Sequence, residues 1–198
     1  MHQTETKVDG PEPSGLILVN AITSSRLILA GIYAWYIFLP GRQLSVVTLL
    51  FAAICATDLM DGVLARRFSA SSRLGSVFDV SADLFFILCT YPVLIMQDVL
   101  PAWMLAAAIL KFAEFCITSA WFSKRSGKGM RALRYDPIGK AAGITFFILP
   151  YPAVLLYDLL PHPIAVMIID TIGCAVVLAA SVSSVHRIRS CIDFYSEK

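Results

Sequence analysis

Four aspartates lie close together in the sequence, and long apolar runs flank them on both sides: Asp58, Asp61, Asp79 and Asp83. An ionised carboxylate in apolar surroundings is destabilising unless positive charge or polar groups compensate for it. The apolar runs therefore restrict the fold to one that can bury or shield them. The acids between them indicate a functional site.

The spacing of these acids places them on helix faces. Residues three, four or seven positions apart share one face of an α-helix, so Asp58 and Asp61 lie on one stripe and Asp79 and Asp83 on another. If two helices joined by the turn 68–72 pack these stripes together, four carboxylates converge. Like charges at such short distances cannot all stay ionised unaided. The pattern therefore predicts a divalent cation among them.

The surrounding residue types favour a hard cation and a phosphate ligand. Oxygen ligands without nearby His or Cys favour Mg²⁺ or Mn²⁺ over zinc. Gly62 and Gly75 leave room for a large ligand against the backbone, and Arg66 can hold a phosphate in a bidentate fork. We therefore expect chemistry at a diphosphate.

The same residues carry a resemblance to a known family. They follow the pattern D-x2-D-G-x2-A-R-x8-G-x3-D-x3-D with no position missing: Asp58, Asp61, Gly62, Ala65, Arg66, Gly75, Asp79 and Asp83. This signature resembles that of the CDP-alcohol phosphotransferases, and the chain is most similar to the phosphatidylglycerophosphate synthases among them. The resemblance implies a membrane enzyme that transfers the phosphatidyl group of CDP-diacylglycerol to an alcohol and releases CMP.

The resemblance also implies roles for individual residues. The four aspartates would hold two ions, Mg²⁺ or Mn²⁺, and Asp83 would in addition be the general base. Five residues would bind the CDP moiety: Gly62, Ala65, Arg66, Ser72 and Gly75. A further pattern, Asn20, Thr23 and Arg26, is similar to the first helix of phosphatidylglycerophosphate and cardiolipin synthases. It is either a substrate contact or a helix cap followed by an arginine that snorkels to the membrane surface.

Basic residues in the second half of the chain are candidates for the acceptor site. Arginine and lysine can form an anion pocket for a phosphorylated alcohol, although beside a membrane they also bind anionic lipid. The candidates are Arg125, Arg134, Lys140 and Arg187. The resemblance favours glycerol 3-phosphate as the acceptor, which would give phosphatidylglycerophosphate. Serine, inositol or its phosphate, and a second phospholipid are the alternatives.

Composition predicts an all-α integral membrane protein. Of the 198 residues, 58% are hydrophobic and 15% are charged, whereas a soluble domain carries about 25% charged residues. The apolar runs have the length of bilayer crossings, and a short interfacial helix at 16–21 precedes the first of them. The six predicted transmembrane helices are 22–39, 44–60, 74–96, 101–122, 141–157 and 164–185.

Basic residues set the predicted orientation. They concentrate in the loops after the second, fourth and sixth spans, whereas the opposite loops hold only Arg42. The positive-inside rule then places both termini in the cytoplasm and opens the active-site cavity to the cytoplasm. The membrane expected for this protein is the inner membrane of the cell. The predicted divisions are a disordered tail at 1–15, a membrane domain at 16–190 and a cytoplasmic tail at 191–198.

Three polar residues within the predicted spans leave alternatives. Lys111 and Glu114 either neutralise one another against a neighbouring helix or take part in the site, and Asp170 lies alone in the last span. A divalent-cation transporter is the rival from another functional class, because intramembrane acids suit it. That function does not explain the glycines and the arginine of the signature. The expected partners are membrane lipid and, as is usual in the family, a second copy of the chain, with no nucleic acid.

Overall fold

The computed structural model describes residues 13–67, 73–126 and 137–196. These residues form seven α-helices and, within the described ranges, no strand, which confirms the all-α prediction. The helices are α1 (Pro13–Phe38), α2 (Leu44–Arg67), α3 (Arg73–Met96), α4 (Ala102–Ser126), α5 (Pro137–Ile148), α6 (Pro150–Leu159) and α7 (His162–Ser196). The predicted turn 68–72 and residues 1–12 of the predicted tail lie outside the described ranges.

Proline and glycine mark the helix boundaries. Gly41 lies between α1 and α2 with a φ of 74°, a left-handed conformation that glycine adopts without steric cost. Pro137 and Pro150 begin α5 and α6, where a missing backbone N–H is tolerated because the first turn of a helix has no acceptor for it. Across the short connection 39–43, α1 and α2 pack against one another.

The helices form two groups. In the first, α1 packs against both α2 and α3; in the second, α7 packs against α4, α5 and α6. Rings from five helices form the centre where the groups meet, with Phe51 stacked on Tyr151 at a centroid distance of 4.7 Å and Phe86 against Phe147 at 4.9 Å. Tyr33 of α1 lies beside Phe86. The helices that carry the signature therefore rest on an aromatic core.

Arg42 closes one end of the bundle. Its guanidinium binds the Asp158 carboxylate with two bonds, Nε to Oδ2 at 3.0 Å and Nη2 to Oδ1 at 2.7 Å. Its Nη1 also donates to the Ile37 carbonyl at 2.6 Å and to Gln97 Oε1 at 2.8 Å. A bidentate arginine–carboxylate pair is among the stronger polar contacts in proteins. It joins the α1–α2 connection to the ends of α3 and α6.

The fifth predicted span is broken. Residues 141–157 were expected to form one helix, but α5 and α6 meet at Leu149 with a bend of 44°. Pro150 causes the break, because it has no N–H to donate to the carbonyl four residues earlier. That carbonyl belongs to Phe146, and the Tyr91 hydroxyl donates to it at 2.9 Å. A side chain from α3 thus replaces the missing backbone hydrogen bond.

The helix ends differ from the sequence-based boundaries at both termini. The structure has one continuous helix from Pro13 through Phe38, so the separate interfacial helix at 16–21 is not formed and residues 13–15 are helical. At the other end α7 runs to Ser196, so most of the predicted tail 191–198 belongs to the last helix. Both helices continue because few residues in them disfavour a helix. Between Leu16 and Phe38 the only glycine or proline is Gly31, and α7 has neither residue after Gly173.

Within residues 13–67, 73–126 and 137–196, one helix is long and apolar enough to cross a membrane, the segment His162–His186 of α7. The bent pair Ala141–Ile148 and Pro150–Leu159 is a second if it counts as one span. Shorter apolar helices are Leu44–Met60 and Val80–Met96. Large apolar side chains are exposed along the outside of the bundle, with Leu49 70% exposed and Leu178 68% exposed. The prediction of six spans stays a prediction.

The Tyr91 contact gives a stability prediction with an internal control. Tyr91→Phe leaves the buried Phe146 carbonyl without its donor, and we expect a loss of about 1–3 kcal/mol in the free energy of unfolding. Tyr33 is equally buried, and its hydroxyl has no hydrogen-bond partner among the described residues. Tyr33→Phe should therefore change stability by less than about 0.5 kcal/mol. Thermal unfolding of both variants in detergent, followed by circular dichroism, measures the difference; equal losses would contradict the proposed role of Tyr91.

Candidate active site

Arg26 of α1 brings together two acids of the signature. Its Nη1 lies 2.9 Å from Asp58 Oδ1 and 3.1 Å from Asp83 Oδ1. Asp58 lies in the second half of α2, whereas Asp83 lies in the first half of α3. One nitrogen atom therefore joins three helices. The bonds of Arg42 to the Ile37 carbonyl and to Gln97 Oε1 bring the C-terminal ends of α1 and α3 beside the start of α2, so α1 and α3 run in the same direction and α2 runs against them.

The three side chains differ in their exposure. The Arg26 side chain is 1% exposed, whereas the side chains of Asp58 and Asp83 are 39% and 31% exposed. The arginine thus lies behind the carboxylates, and the carboxylates form part of the accessible surface. A buried guanidinium needs such anionic partners, because an uncompensated buried charge is strongly destabilising. The carboxylates in turn present oxygen atoms to a ligand that approaches from outside the bundle.

The contact bears on the predicted convergence of four acids. The structure brings Asp58 and Asp83, the first and last of them, onto the same nitrogen. Asp61 follows Asp58 on α2 and Asp79 precedes Asp83 on α3, but the side chains of these two lie outside the described part of the structure. Asp58 and Asp83 thus meet at an arginine of α1, and the convergence of all four acids stays a prediction.

Of the five residues predicted to bind the CDP moiety, four lie on described helices and one does not. Gly62, Ala65 and Arg66 belong to α2, and Gly75 belongs to the first turn of α3. These positions place the signature on the two helices that contact Arg26. Ser72 lies outside the described residues.

The acceptor candidates fall on the second group of helices or on the segment before it. Arg125 lies in α4, Lys140 in α5 and Arg187 in α7, and their side chains are outside the described part of the structure. Arg134 lies in the segment 127–136, which is also outside it. Their assignment to the acceptor site stays a prediction.

The donor set suits a hard divalent cation. Asp58 and Asp83 offer partly exposed carboxylate oxygens, which are the ligands that Mg²⁺ and Mn²⁺ prefer. Among the side chains that the structure describes, no three His, Cys, Asp or Glu residues are grouped to hold a metal. Two of the four predicted ligands are not among those side chains. The residues present fit the predicted cation chemistry as far as they are described.

Sequence reasoning gave Arg26 a different role. The arginine was expected either to contact substrate or to snorkel to the membrane surface, and the structure shows it buried against two acids of the signature. The signal in the sequence was a single arginine within an apolar run of α1. A buried arginine needs a carboxylate partner. Its partners are known only from the folded structure, in which α1 packs against both α2 and α3.

Lys111 and Glu114 form a separate network between α4 and α7. Lys111 Nζ lies 2.7 Å from Glu114 Oε2, and it donates to Ser183 Oγ at 2.9 Å and to Ser184 Oγ at 3.0 Å. Ser184 Oγ also donates to Glu114 Oε2 at 3.0 Å. The pair neutralises itself against a neighbouring helix, as the first of the two alternatives predicted. These contacts assign the network to helix packing.

Asp170 is the remaining acid of α7. Its Oδ1 is buried and has no hydrogen-bond partner among the described residues. Nothing in its described surroundings links it to Asp58 and Asp83.

Comparison with known proteins identifies the family. The family model for CDP-alcohol phosphatidyltransferase matches residues 16–183. A cardiolipin synthase (CMP-forming) of Streptomyces coelicolor is 31% identical over 148 residues, which cover 72% of this chain and 66% of that protein. A CDP-diacylglycerol–glycerol-3-phosphate 3-phosphatidyltransferase of Aquifex aeolicus is 35% identical over 75 residues, 36% of this chain and 41% of that protein.

A third relative, a probable cardiolipin synthase (CMP-forming) of Drosophila melanogaster, is 34% identical over 98 residues, 48% of this chain and 30% of that protein. The chain thus spans just under two thirds of the Streptomyces protein and less of the other two. No solved structure matches the chain. The family model covers α2 and α3, which carry the signature, together with the part of α1 that holds Arg26, and the chain belongs to the CDP-alcohol phosphatidyltransferase family.

Proposed function

We propose that this enzyme transfers the phosphatidyl group of CDP-diacylglycerol to a hydroxyl of a glycerol-containing acceptor and releases CMP. The observation that supports this most directly is the meeting of Asp58 and Asp83 at Arg26. The contact gathers the two ends of the signature into one accessible acidic surface. A transporter would not require the glycines and the arginine that accompany these acids in the signature.

The proposed reaction is a substitution at phosphorus. The acceptor hydroxyl oxygen forms a bond to the β-phosphorus of CDP-diacylglycerol, and the bond from that phosphorus to the bridging oxygen breaks. CMP leaves with the bridging oxygen and its electron pair. The hydroxyl proton passes to the carboxylate of Asp83, whose side chain is 31% exposed and can therefore be reached by a substrate.

Asp58, Asp61, Asp79 and Asp83 would hold the divalent cations, for which we propose two Mg²⁺ or Mn²⁺ ions. When bound, such ions neutralise charge on a diphosphate and on the leaving phosphate. Asp83 would also be the proton acceptor. Arg26 would hold Asp83 in place from the buried side.

The CDP moiety would lie along α2 and the start of α3. Arg66 would bind a phosphate, and Ser72 would donate a hydrogen bond to the nucleotide. Gly62, Ala65 and Gly75 would let the nucleotide approach the helix backbones, because their side chains are small or absent.

We propose phosphatidylglycerol as the acceptor, with glycerol 3-phosphate as the second candidate. The relative whose match covers 72% of this chain is named cardiolipin synthase (CMP-forming). Cardiolipin consists of two phosphatidyl groups on one glycerol. The similarity to the Aquifex CDP-diacylglycerol–glycerol-3-phosphate 3-phosphatidyltransferase covers 36% of the chain. Both acceptors present a glycerol hydroxyl near a phosphate. That phosphate would be bound by Arg125, Arg134, Lys140 and Arg187.

The proposed setting is the inner membrane of the cell, with both termini in the cytoplasm. The alternating direction of α1, α2 and α3 supports it, because Arg42 with Asp158 marks the end of these helices at which the α1–α2 connection lies. The positive-inside rule assigns the other end to the cytoplasm. CDP-diacylglycerol would keep its acyl chains in the membrane while its head group reaches the acids.

A panel of acceptors tests the proposed reaction. Purified enzyme with labelled CDP-diacylglycerol and Mg²⁺ should release CMP and form cardiolipin when phosphatidylglycerol is supplied. Glycerol 3-phosphate, serine and inositol are the parallel reactions. CMP release with glycerol 3-phosphate alone would replace the first candidate by the second, and release with serine or inositol alone would contradict both. Cation uptake by proteoliposomes without CMP release would favour the transporter.

The role of Asp83 gives a second prediction. Asp83→Asn keeps the size of the side chain and removes its ability to accept a proton, so kcat should fall by about 10²–10⁴-fold. Asp158→Asn is the matched control, because Asp158 is also bound to an arginine but lies at the opposite end of the bundle. It should leave kcat within about threefold of the original enzyme once stability is accounted for. A fully active Asp83→Asn enzyme would contradict the proposed base.

A further inference from the structure

Arg26 is not part of the signature, but it contacts two of the signature acids. We propose that Arg26 is a built-in counter-ion for Asp58 and Asp83: it holds the two carboxylates together before a divalent cation binds, and it weakens the affinity of the site for that cation. This inference rests on the proposed function, because it assumes a divalent cation at the signature acids. It adds a positioning residue from α1 to a site otherwise formed by α2 and α3.

The geometry supports a shared counter-ion. Asp58 Oδ1 and Asp83 Oδ1 contact the same Nη1, at 2.9 and 3.1 Å. Two carboxylates from different helices at such short separation repel one another, and a positive charge between them converts that repulsion into two attractions. Arginine is the suitable residue, because its guanidinium is not deprotonated in proteins. The carboxylates are therefore held whether or not a metal is present.

Burial fixes the position of this charge. With a side chain that is 1% exposed, Arg26 has little room to withdraw when a ligand arrives, and withdrawal would leave its charge in the core without a partner. The carboxylates remain accessible on their other side. A divalent cation that binds them there shares them with a permanent positive charge. Its affinity is then lower than two unpaired carboxylates would give.

Loss of the arginine charge should consequently increase the dependence of the protein on the cation. Without Arg26, the repulsion between Asp58 and Asp83 destabilises the metal-free protein, and a bound cation relieves that repulsion. The same change removes the charge that opposes cation binding. Both effects make the stabilisation by a divalent cation larger in an Arg26 variant than in the original protein.

The test compares the cation response of two arginine variants. Purified full-length protein in detergent is unfolded thermally in EDTA and over a Mn²⁺ titration, and bound Mn²⁺ is measured by electron paramagnetic resonance. For Arg26→Gln we expect a Tm in EDTA that is lower by about 5 °C or more. We also expect a larger rise in Tm with Mn²⁺ and an apparent Kd for Mn²⁺ that is about tenfold lower.

Arg42→Gln is the matched control. Arg42 is also an arginine with little exposure and is paired with an aspartate, but it lies at the other end of the bundle. Its replacement should lower the Tm by a comparable amount and leave the Mn²⁺ affinity within about twofold. A third variant, Arg26→Lys, keeps the charge and should keep the Mn²⁺ affinity within about threefold.

The outcomes separate this inference from the function on which it rests. An equal or smaller Mn²⁺ response in Arg26→Gln than in the original protein would overturn the counter-ion role and leave the cation site standing. No Mn²⁺ binding by the original protein would overturn the cation site and this inference together, whereas transfer activity is scored independently by CMP release. If Arg26→Gln folds only with Mn²⁺, the inference is supported. If it folds in neither condition, a tenfold tighter Mn²⁺ site in Arg26→Lys would overturn it.

Discussion

Arg26 places a permanent positive charge where α2 and α3 both present carboxylates, and the candidate site depends on that contact. Without the guanidinium charge of Arg26, Asp58 and Asp83 would repel one another, and this repulsion would push apart the helices that carry them. The signature residues on either side lie on those helices, so their relative position depends on the same contact. An arginine outside the signature is thus part of the reason why the signature can form a site.

Arg26, in the middle of α1, and Arg42, in the connection after α1, both bind carboxylates, but their partners differ. Arg42 binds one carboxylate with two nitrogen atoms and also binds backbone and amide oxygens, so its hydrogen-bonding groups are used within the protein. Arg26 binds two carboxylates through one nitrogen, and those carboxylates are partly exposed. The first arrangement closes an end of the bundle. The second leaves anionic oxygens available to ligands, which is what an active site requires.

Local sequence patterns predicted the features that depend on neighbouring residues. Helix periodicity predicted that the faces of Asp58 and Asp83 would meet, and hydropathy predicted an all-helical chain. Neither helix periodicity nor hydropathy could predict that Tyr91 would donate a hydrogen bond to the Phe146 carbonyl freed by Pro150, or that Ser183 and Ser184 would bind Lys111. These partners lie far apart in the sequence, and helix packing alone brings them together. The role of Arg26 was missed for the same reason.

The division of the helices explains why the reaction class is easier to identify than the acceptor. The acids, Arg26 and the proposed CDP-binding positions other than Ser72 lie on α1, α2 and α3, where spacing within a helix and one contact between helices constrain the chemistry. The proposed acceptor residues come from α4, α5, α7 and the segment 127–136, and no short motif relates them. A pocket assembled from separate segments is specified by tertiary packing. On the proposed function, we therefore expect acceptor choice to change with a few basic residues on these segments while the transfer chemistry assigned to the first three helices is retained.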